Sequence, residues 1–179
     1  MRVITFSRYF PKGHPKEGQP TFFVEKIWEA IYLDCVGTQS LGSITSLREI
    51  GCDILSHGVY PPKLHTIRSG NRWKVGDIAS LRVWSGKPYR SKQVEFAQVE
   101  VKRIWPVRIY GGTGIITDTG YLPLASVSYN DGLSAPDFTS WFNLHPKSNG
   151  DEFTGQIICW SENIDYAGKP AHLEEEAAV

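Results

Sequence analysis

Cysteine motifs are missing from this chain. Its 179 residues include three cysteines, Cys35, Cys52 and Cys159, which form neither a CxxC pair nor a zinc-binding spacing. The five histidines also show no metal-ligand spacing with one another or with cysteine. We therefore predict no required metal and no cofactor. Each cysteine is expected to be a small buried hydrophobic residue with a reduced thiol, as in a cytoplasmic protein.

Long apolar segments are absent as well. Hydrophobic residues make up 41% of the chain, which is typical of a globular protein, and no run reaches membrane-spanning length. The opening stretch, MRVITFSRYFPKGHP, lacks the apolar core of a signal peptide. We expect a cytoplasmic protein with no membrane partner, built as one domain long enough to bury a core.

The chain also has no net charge, because 19 Lys and Arg balance 19 Asp and Glu. This balance argues against a general coating of a polyanion but permits a local basic groove. Cations concentrate in residues 63–93, where Asp77 is the single acidic residue and Trp73, Trp84 and Tyr89 are interspersed. Because Arg and Lys bind phosphate while aromatic rings stack on bases, this segment indicates a site for a nucleotide or RNA.

The periodicity of the chain predicts an α+β domain over residues 1–166, with a disordered tail at 167–179 and an insertion at 34–62. Apolar residues of one face predict a helix over 22–33, with Glu25 and Glu29 on the other side. Ser134 is expected to cap a second helix. The ranges predicted for these elements are strand 2–7, helix 22–33, strands 78–84 and 99–109, hairpin 114–124, helix 134–142 and strand 156–162. The expected architecture is a mostly antiparallel sheet curled into a small barrel, with the two helices packed outside.

Three motifs occur in order: KLHTIR at 63–68, RWKVGD at 72–77, and NDGLS at 130–134 leading into the helix DFTSWF. Their combination resembles the ASCH superfamily, small β-barrels related to the RNA-binding PUA fold. The resemblance covers roughly residues 60–162. The first residues also resemble uncharacterised ASCH-like proteins of phages and bacteria. The resemblance implies a basic cleft beside the KLHTIR segment.

The enzymatic branch that the chain resembles consists of small bacterial acetylcytidine amidohydrolases, which remove an acetyl group from the exocyclic nitrogen of a modified cytidine. That branch uses a Lys, a Thr three residues later and a Glu before the second helix. Lys63 and Thr66 match the first two, and Asp131 occupies the third position with a side chain one methylene shorter. The resemblance implies Thr66 as nucleophile, Lys63 as base and Asp131 as the group that orients the lysine or handles the proton of the leaving amine.

Residues three apart in a strand point to opposite faces. Lys63 and Thr66 can therefore share a site only if the segment begins as an irregular turn after Pro61 and Pro62. In the alternative interpretation Thr66 is an ordinary strand residue, Lys63 a surface cation and Asp131 a turn residue. His65 alternates with Thr66, so we expect it to be structural and to face away from the cleft.

The predicted ligand-binding residues lie on either side of Trp73, itself expected in the core. Arg68 and Arg72 are expected to contact phosphate or base edges. The polar loop SGKPYRSKQ at 85–93 is expected to act as a flap over a ligand, through Ser85, Lys87, Tyr89, Arg90 and Lys92. A solvated hairpin is the alternative for this loop.

Three functional interpretations stay open. The first is a domain that binds RNA, a nucleotide or a modified nucleoside in the basic cleft. The second is an amidohydrolase using Lys63, Thr66 and Asp131. The third is an accessory factor that binds another protein through its aromatic surface.

Overall fold

The computed structural model describes residues 1–33, 38–111, 113–143 and 152–166, so the predicted disordered tail lies outside the described residues. Within them the chain forms nine strands and four helices. The strands are β1 (Arg2–Phe6), β2 (Thr38–Leu41), β3 (His65–Ser69), β4 (Ile78–Trp84), β5 (Gln93–Glu100), β6 (Arg103–Tyr110), β7 (Gly114–Thr117), β8 (Gly120–Leu122) and β9 (Glu152–Cys159). The helices are α1 (Phe23–Tyr32), α2 (Ile44–Glu49), α3 (Leu124–Asn130) and α4 (Ala135–Asn143).

The strands form two sheets, one with the order β1-β4-β5-β2 and the other with the order β3-β9-β6-β7-β8. Strand β1 runs parallel to β4, and all the other described pairs are antiparallel. The ring of Phe6 at the end of β1 packs 6.3 Å from that of Trp160 beyond β9, so the two sheets share one core. The fold is α+β, as predicted, but the described strands form two sheets rather than a closed barrel.

Several local predictions are confirmed. Strand β4 occupies the predicted range, and β7 and β8 form the predicted hairpin around Asp118 and Thr119. The hydroxyl of Ser134 accepts the N–H of Asp137 at 3.3 Å and donates to its carboxylate at 2.7 Å. This reciprocal cap begins α4 as expected.

The single strand predicted over residues 99–109 is wrong. Strand β5 ends at Glu100, and β6 begins at Arg103 in the other sheet. Between them, the N–H of Val101 donates to the carbonyl preceding β4 at 2.9 Å, and that of Lys102 to the last carbonyl of β9 at 2.8 Å. The apolar alternation continues through this crossing because both sheets bury their inner faces in the same core, so periodicity could not reveal it.

The segment predicted as an insertion covers the side of α1 that carries Glu25 and Glu29. The carboxylate of Glu25 accepts the N–H of Asp53 at 3.2 Å, and that of Glu29 accepts the N–H of Gly58 at 3.0 Å. Both glutamates are buried. The helix is therefore covered on two sides, and the inserted residues supply the hydrogen bonds that the buried carboxylates need. No described helix has the length and apolarity to cross a membrane.

Candidate functional site

A buried ion pair joins two of the predicted site residues. The ammonium of Lys63 lies 2.8 Å from the Oδ1 atom of Asp131, and the two side chains are 1% and 8% exposed. The same ammonium also donates to the backbone carbonyl of Asp131. We call these two residues the Lys63–Asp131 pair. Lysine is almost never fully buried unless it is paired, so this contact accounts for its position.

The backbone around Lys63 explains how the side chain turns inward. Its N–H donates to the carbonyl of Lys26 in α1 at 3.0 Å, and the N–H of Leu64 donates to the carbonyl of Asn130 at 2.9 Å. The indole N–H of Trp160 donates to the Lys63 carbonyl at 3.2 Å. Regular pairing of β3 with β9 begins only at His65. The KLHTIR segment thus starts as an irregular stretch after the two prolines. This irregularity is the condition under which Lys63 and Thr66 could share a site.

On the other side of the pair, Asp131 ends α3 as its C-cap residue. The next residue, Gly132, has φ of +76°, a left-handed conformation that glycine adopts without strain. A Cβ atom there would lie 3.2 Å from Cδ of Lys63 and 3.3 Å from Cδ of Lys26. The ammonium of Lys26 donates to the Gly132 carbonyl at 2.6 Å. The turn therefore packs against two lysine chains and holds the carboxylate beside Lys63.

Burial lowers the pKa of Lys63 to about 8, although the neighbouring carboxylate opposes this shift. Burial also acts to raise the pKa of Asp131, but Lys63 and His65 outweigh it and hold that pKa below its usual value. The lysine is therefore poised to exchange its proton near neutral pH, while its partner stays ionised.

His65 adjoins the same pair, so the expectation that it faces away from the site is wrong. It is 0% exposed, with Nδ1 at 3.6 Å from the Asp131 carboxylate and Nε2 at 2.8 Å from the Tyr166 hydroxyl. That hydroxyl accepts a hydrogen bond from Asn130 at 2.9 Å. Burial lowers the pKa of His65, so the ring is neutral at pH 7. Strand alternation predicted the wrong side for His65 because Lys63 lies before the regular strand begins, so the alternation does not extend to it.

Aromatic faces complete the surroundings of the buried cations. The Lys63 ammonium lies 4.5 Å from the ring centre of Phe23 and 5.8 Å from that of Phe6. The guanidinium of Arg68 lies 5.1 Å from the Phe6 ring and donates to the carbonyl of Thr5 at 3.1 Å. Cation–π contacts of this kind gain strength when they are desolvated. Arg68 is half-buried and bonded to β1, so its observed contacts are structural, and its contact with a ligand stays a prediction.

Thr66 lies in β3 opposite Ile158 of β9 and is 3% exposed. It is thus buried in the strand that leads away from Lys63. Arg72 is exposed, with its guanidinium 5.9 Å from the centre of the Trp73 ring. Trp73 itself is 3% exposed, as predicted for a core residue.

Of the predicted flap, residues 85–93, residues 85–92 form a closed loop between β4 and β5, and Gln93 already belongs to β5. The N–H of Ser85 donates to the carbonyl of Lys92 at 2.8 Å. Lys87, Arg90 and Lys92 are exposed, and within the described parts of the chain none of them forms an ion pair. Tyr89 is 89% exposed and its ring centre lies 5.4 Å from that of Trp84. The loop thus presents free cations around a pair of aromatic rings.

Metal centres and reactive thiols both depend on the placement of His, Cys, Asp and Glu side chains. The described residues contain no group of three or more His, Cys, Asp or Glu side chains that could hold a metal ion. Burial raises the pKa of Cys52 and of Cys159 to about 11, so both are inert thiols at neutral pH. Cys35 lies outside the described residues.

Comparisons with protein-family models, with curated proteins and with solved structures found no match to the chain.

Proposed function

We propose that the protein is an ASCH-like amidohydrolase that removes an acyl group from the exocyclic nitrogen of a modified cytidine. The Lys63–Asp131 pair carries this proposal. A buried ion pair contributes little net stability, because desolvation offsets the attraction. Perturbed pKa values cluster at functional sites, and a lysine with a pKa of about 8 has the property that a general base requires.

The proposed reaction begins with the neutral amine of Lys63, about one tenth of the population at pH 7 for a pKa of about 8. After a movement that brings the Thr66 hydroxyl within hydrogen-bond distance of Lys63, the amine takes the hydroxyl proton while Oγ1 forms a bond to the acyl carbon. The carbon–nitrogen bond then breaks, and Lys63 passes the proton to the departing amino group. Water that is deprotonated by the same amine hydrolyses the resulting ester, releasing the carboxylic acid and restoring Thr66.

The carboxylate of Asp131 holds the amine in place and stabilises the ammonium that forms in each step. Both members of the pair are buried. The acyl group therefore reaches Lys63 only when covering side chains move aside, and the same burial excludes competing water. Because the base must be neutral, kcat/KM should rise with pH and level off above about 8.

The test is turnover of N4-acetylcytidine, alone and within an oligonucleotide, followed by chromatography. Wild type and Thr66→Ser should release cytidine, while Thr66→Ala and Lys63→Met should not, with circular dichroism showing that each variant is folded. Full activity of Thr66→Ala would contradict Thr66 as the nucleophile. Activity of Lys63→Met would remove the basis of the proposal.

The exposed cations favour a second candidate, a domain that binds RNA or a nucleotide without turnover. Lys87, Arg90 and Lys92 are exposed and without ion-pair partners among the described residues, as is Arg72. This candidate expects binding that weakens with salt, and weaker binding of Arg72→Ala and Lys87→Ala. Salt-sensitive binding by a wild type that leaves acetylcytidine intact would favour it over the hydrolase.

A further inference from the structure

A separate pocket of about 290 Å³ lies between the end of β1 and the loop at 85–92. Rings and prolines form most of its lining, namely Phe6, Tyr9, Phe10, Pro11, Trp84 and Pro88. Its volume lies near the lower end of the roughly 300–1,000 Å³ of small-molecule pockets. A space of this size with aromatic walls suits one flat ring.

The charge around the pocket favours an anion attached to that ring. Arg8 lines the pocket with its guanidinium 5.5 Å from the ring centre of Tyr9, and the same guanidinium donates to the carbonyl of Ile50. The loop that closes the other side carries Lys87, Arg90 and Lys92, and residues 85–92 contain no acidic side chain. Aromatic rings beside a cationic loop form the combination by which proteins hold nucleotides of a single strand.

The backbone at Tyr89 supports a ligand-binding role for the loop. Tyr89 has φ of 61°, a left-handed conformation that is unfavourable for a bulky residue. In this conformation its ring is 89% exposed and lies 5.4 Å from the ring of Trp84, which lines the pocket. Strained residues persist where the surrounding structure requires them, commonly at ligand clamps.

Phe6 links this pocket to the Lys63–Asp131 pair. Its ring lines the pocket and lies 5.8 Å from the Lys63 ammonium. The ring of Phe6 therefore separates the pocket from the buried amine, and neither Lys63 nor Asp131 lines the pocket. A nucleobase in the pocket would belong to a different nucleotide from the one presented to Lys63.

We infer that the aromatic pocket binds a nucleobase of a single-stranded oligonucleotide, next to the nucleotide that carries the acyl group. The substrate is then an acylated strand rather than a free nucleoside. The position of the acylated nucleotide beside Lys63 rests on the proposed function, whereas the binding of a nucleobase in the pocket does not.

Binding is measured by calorimetric titration of the protein with a short unmodified oligocytidylate, as RNA and as DNA, at two salt concentrations. Tyr89→Ala should bind at least about fivefold more weakly, the usual effect of losing one stacking ring. Tyr89→Phe keeps the ring and should bind like wild type. The matched control is Tyr121→Ala, which removes another exposed tyrosine, on β8, and should leave binding unchanged.

Lys87→Ala should reduce the slope of the logarithm of affinity against the logarithm of salt concentration by about 0.7, the value for one phosphate contact of a single strand. The difference between RNA and DNA affinities identifies the natural strand, and tight binding of either supports the inference. Wild-type affinity of Tyr89→Ala, or no binding of either oligonucleotide, would overturn it.

The binding experiment and the turnover experiment can fail independently, so failure of the pocket proposal is distinguishable from failure of the proposed hydrolase. Oligonucleotide binding that depends on Tyr89, without hydrolysis of any acylated substrate, supports the pocket and contradicts the hydrolase. Turnover of free acetylcytidine without oligonucleotide binding supports the hydrolase and contradicts the pocket.

Discussion

Replacing Asp131 by Asn removes the counter-charge of a buried ammonium with little change in side-chain shape. In the wild type the two charged atoms lie 2.8 Å apart, and the lysine side chain is 1% exposed. Their attraction is about 6 kcal/mol at an effective dielectric constant of about 20. Removal of one partner from a buried pair typically destabilises a protein by roughly 3–5 kcal/mol.

The lysine can limit this loss by releasing its proton, because its pKa is already lowered to about 8. We therefore expect Asp131→Asn to reduce the free energy of unfolding at pH 7 by about 3 kcal/mol, the lower end of that range. Urea denaturation followed by circular dichroism measures the change. The midpoint should fall without a change in the slope, which would show that stability itself changed.

A double-mutant cycle separates the pair from its surroundings. Lys63→Met should also destabilise the protein, because it leaves the Asp131 carboxylate buried without its cation. The double variant Lys63→Met/Asp131→Asn contains neither charge and should be destabilised by much less than the sum of the two single changes. Single variants within about 0.5 kcal/mol of wild type, or strictly additive effects, would refute a buried ion pair at this position.

Three further predictions concern the same region. Denaturation titrations should show that the free energy of unfolding of the wild type, relative to the double variant, rises between about pH 8 and 10.5. In that interval the unfolded chain keeps the Lys63 proton and the folded protein has lost it, so higher pH favours the folded state. In thermal unfolding, Gly132→Ala should destabilise the protein more than Gly58→Ala. Both glycines have φ of +76°, but of the two only Gly132 has neighbouring atoms that a Cβ would meet, at 3.2 Å. Equal effects would argue against that contact. Tyr166→Phe leaves Nε2 of the buried His65 without its 2.8 Å partner and should cost about 1–3 kcal/mol in urea denaturation; an unchanged midpoint would show that the hydroxyl does not matter.

The sequence by itself determined the features whose causes are local. The alternation of residues 78–84 marked β4, and the polar turn at Asp118 and Thr119 marked the hairpin. Ser134 marked the start of α4 because its cap reaches only three residues along the chain. Such signals depend on neighbouring residues, so they can be recognised without knowledge of the fold.

Residue types and a family pattern also selected Lys63 and Asp131 as candidates, but the sequence could not show that they touch. They are separated by 68 positions, and their contact depends on the irregular backbone before β3 and on the turn after α3. The placement of His65 beside them has the same origin. Strand alternation alone predicted the opposite orientation for that ring.

The tertiary structure also decided where the chain changes sheets and which residues pack against the loop at 85–92. The crossing at Val101 and Lys102 leaves the apolar pattern intact because both sheets bury their inner faces in one core. The aromatic pocket joins Phe6 of β1 to Trp84 of β4, two residues that no local pattern relates. Burial and long-range contact thus determined that Lys63 is a buried ammonium paired with Asp131, while Lys87, Arg90 and Lys92 stay exposed to solvent.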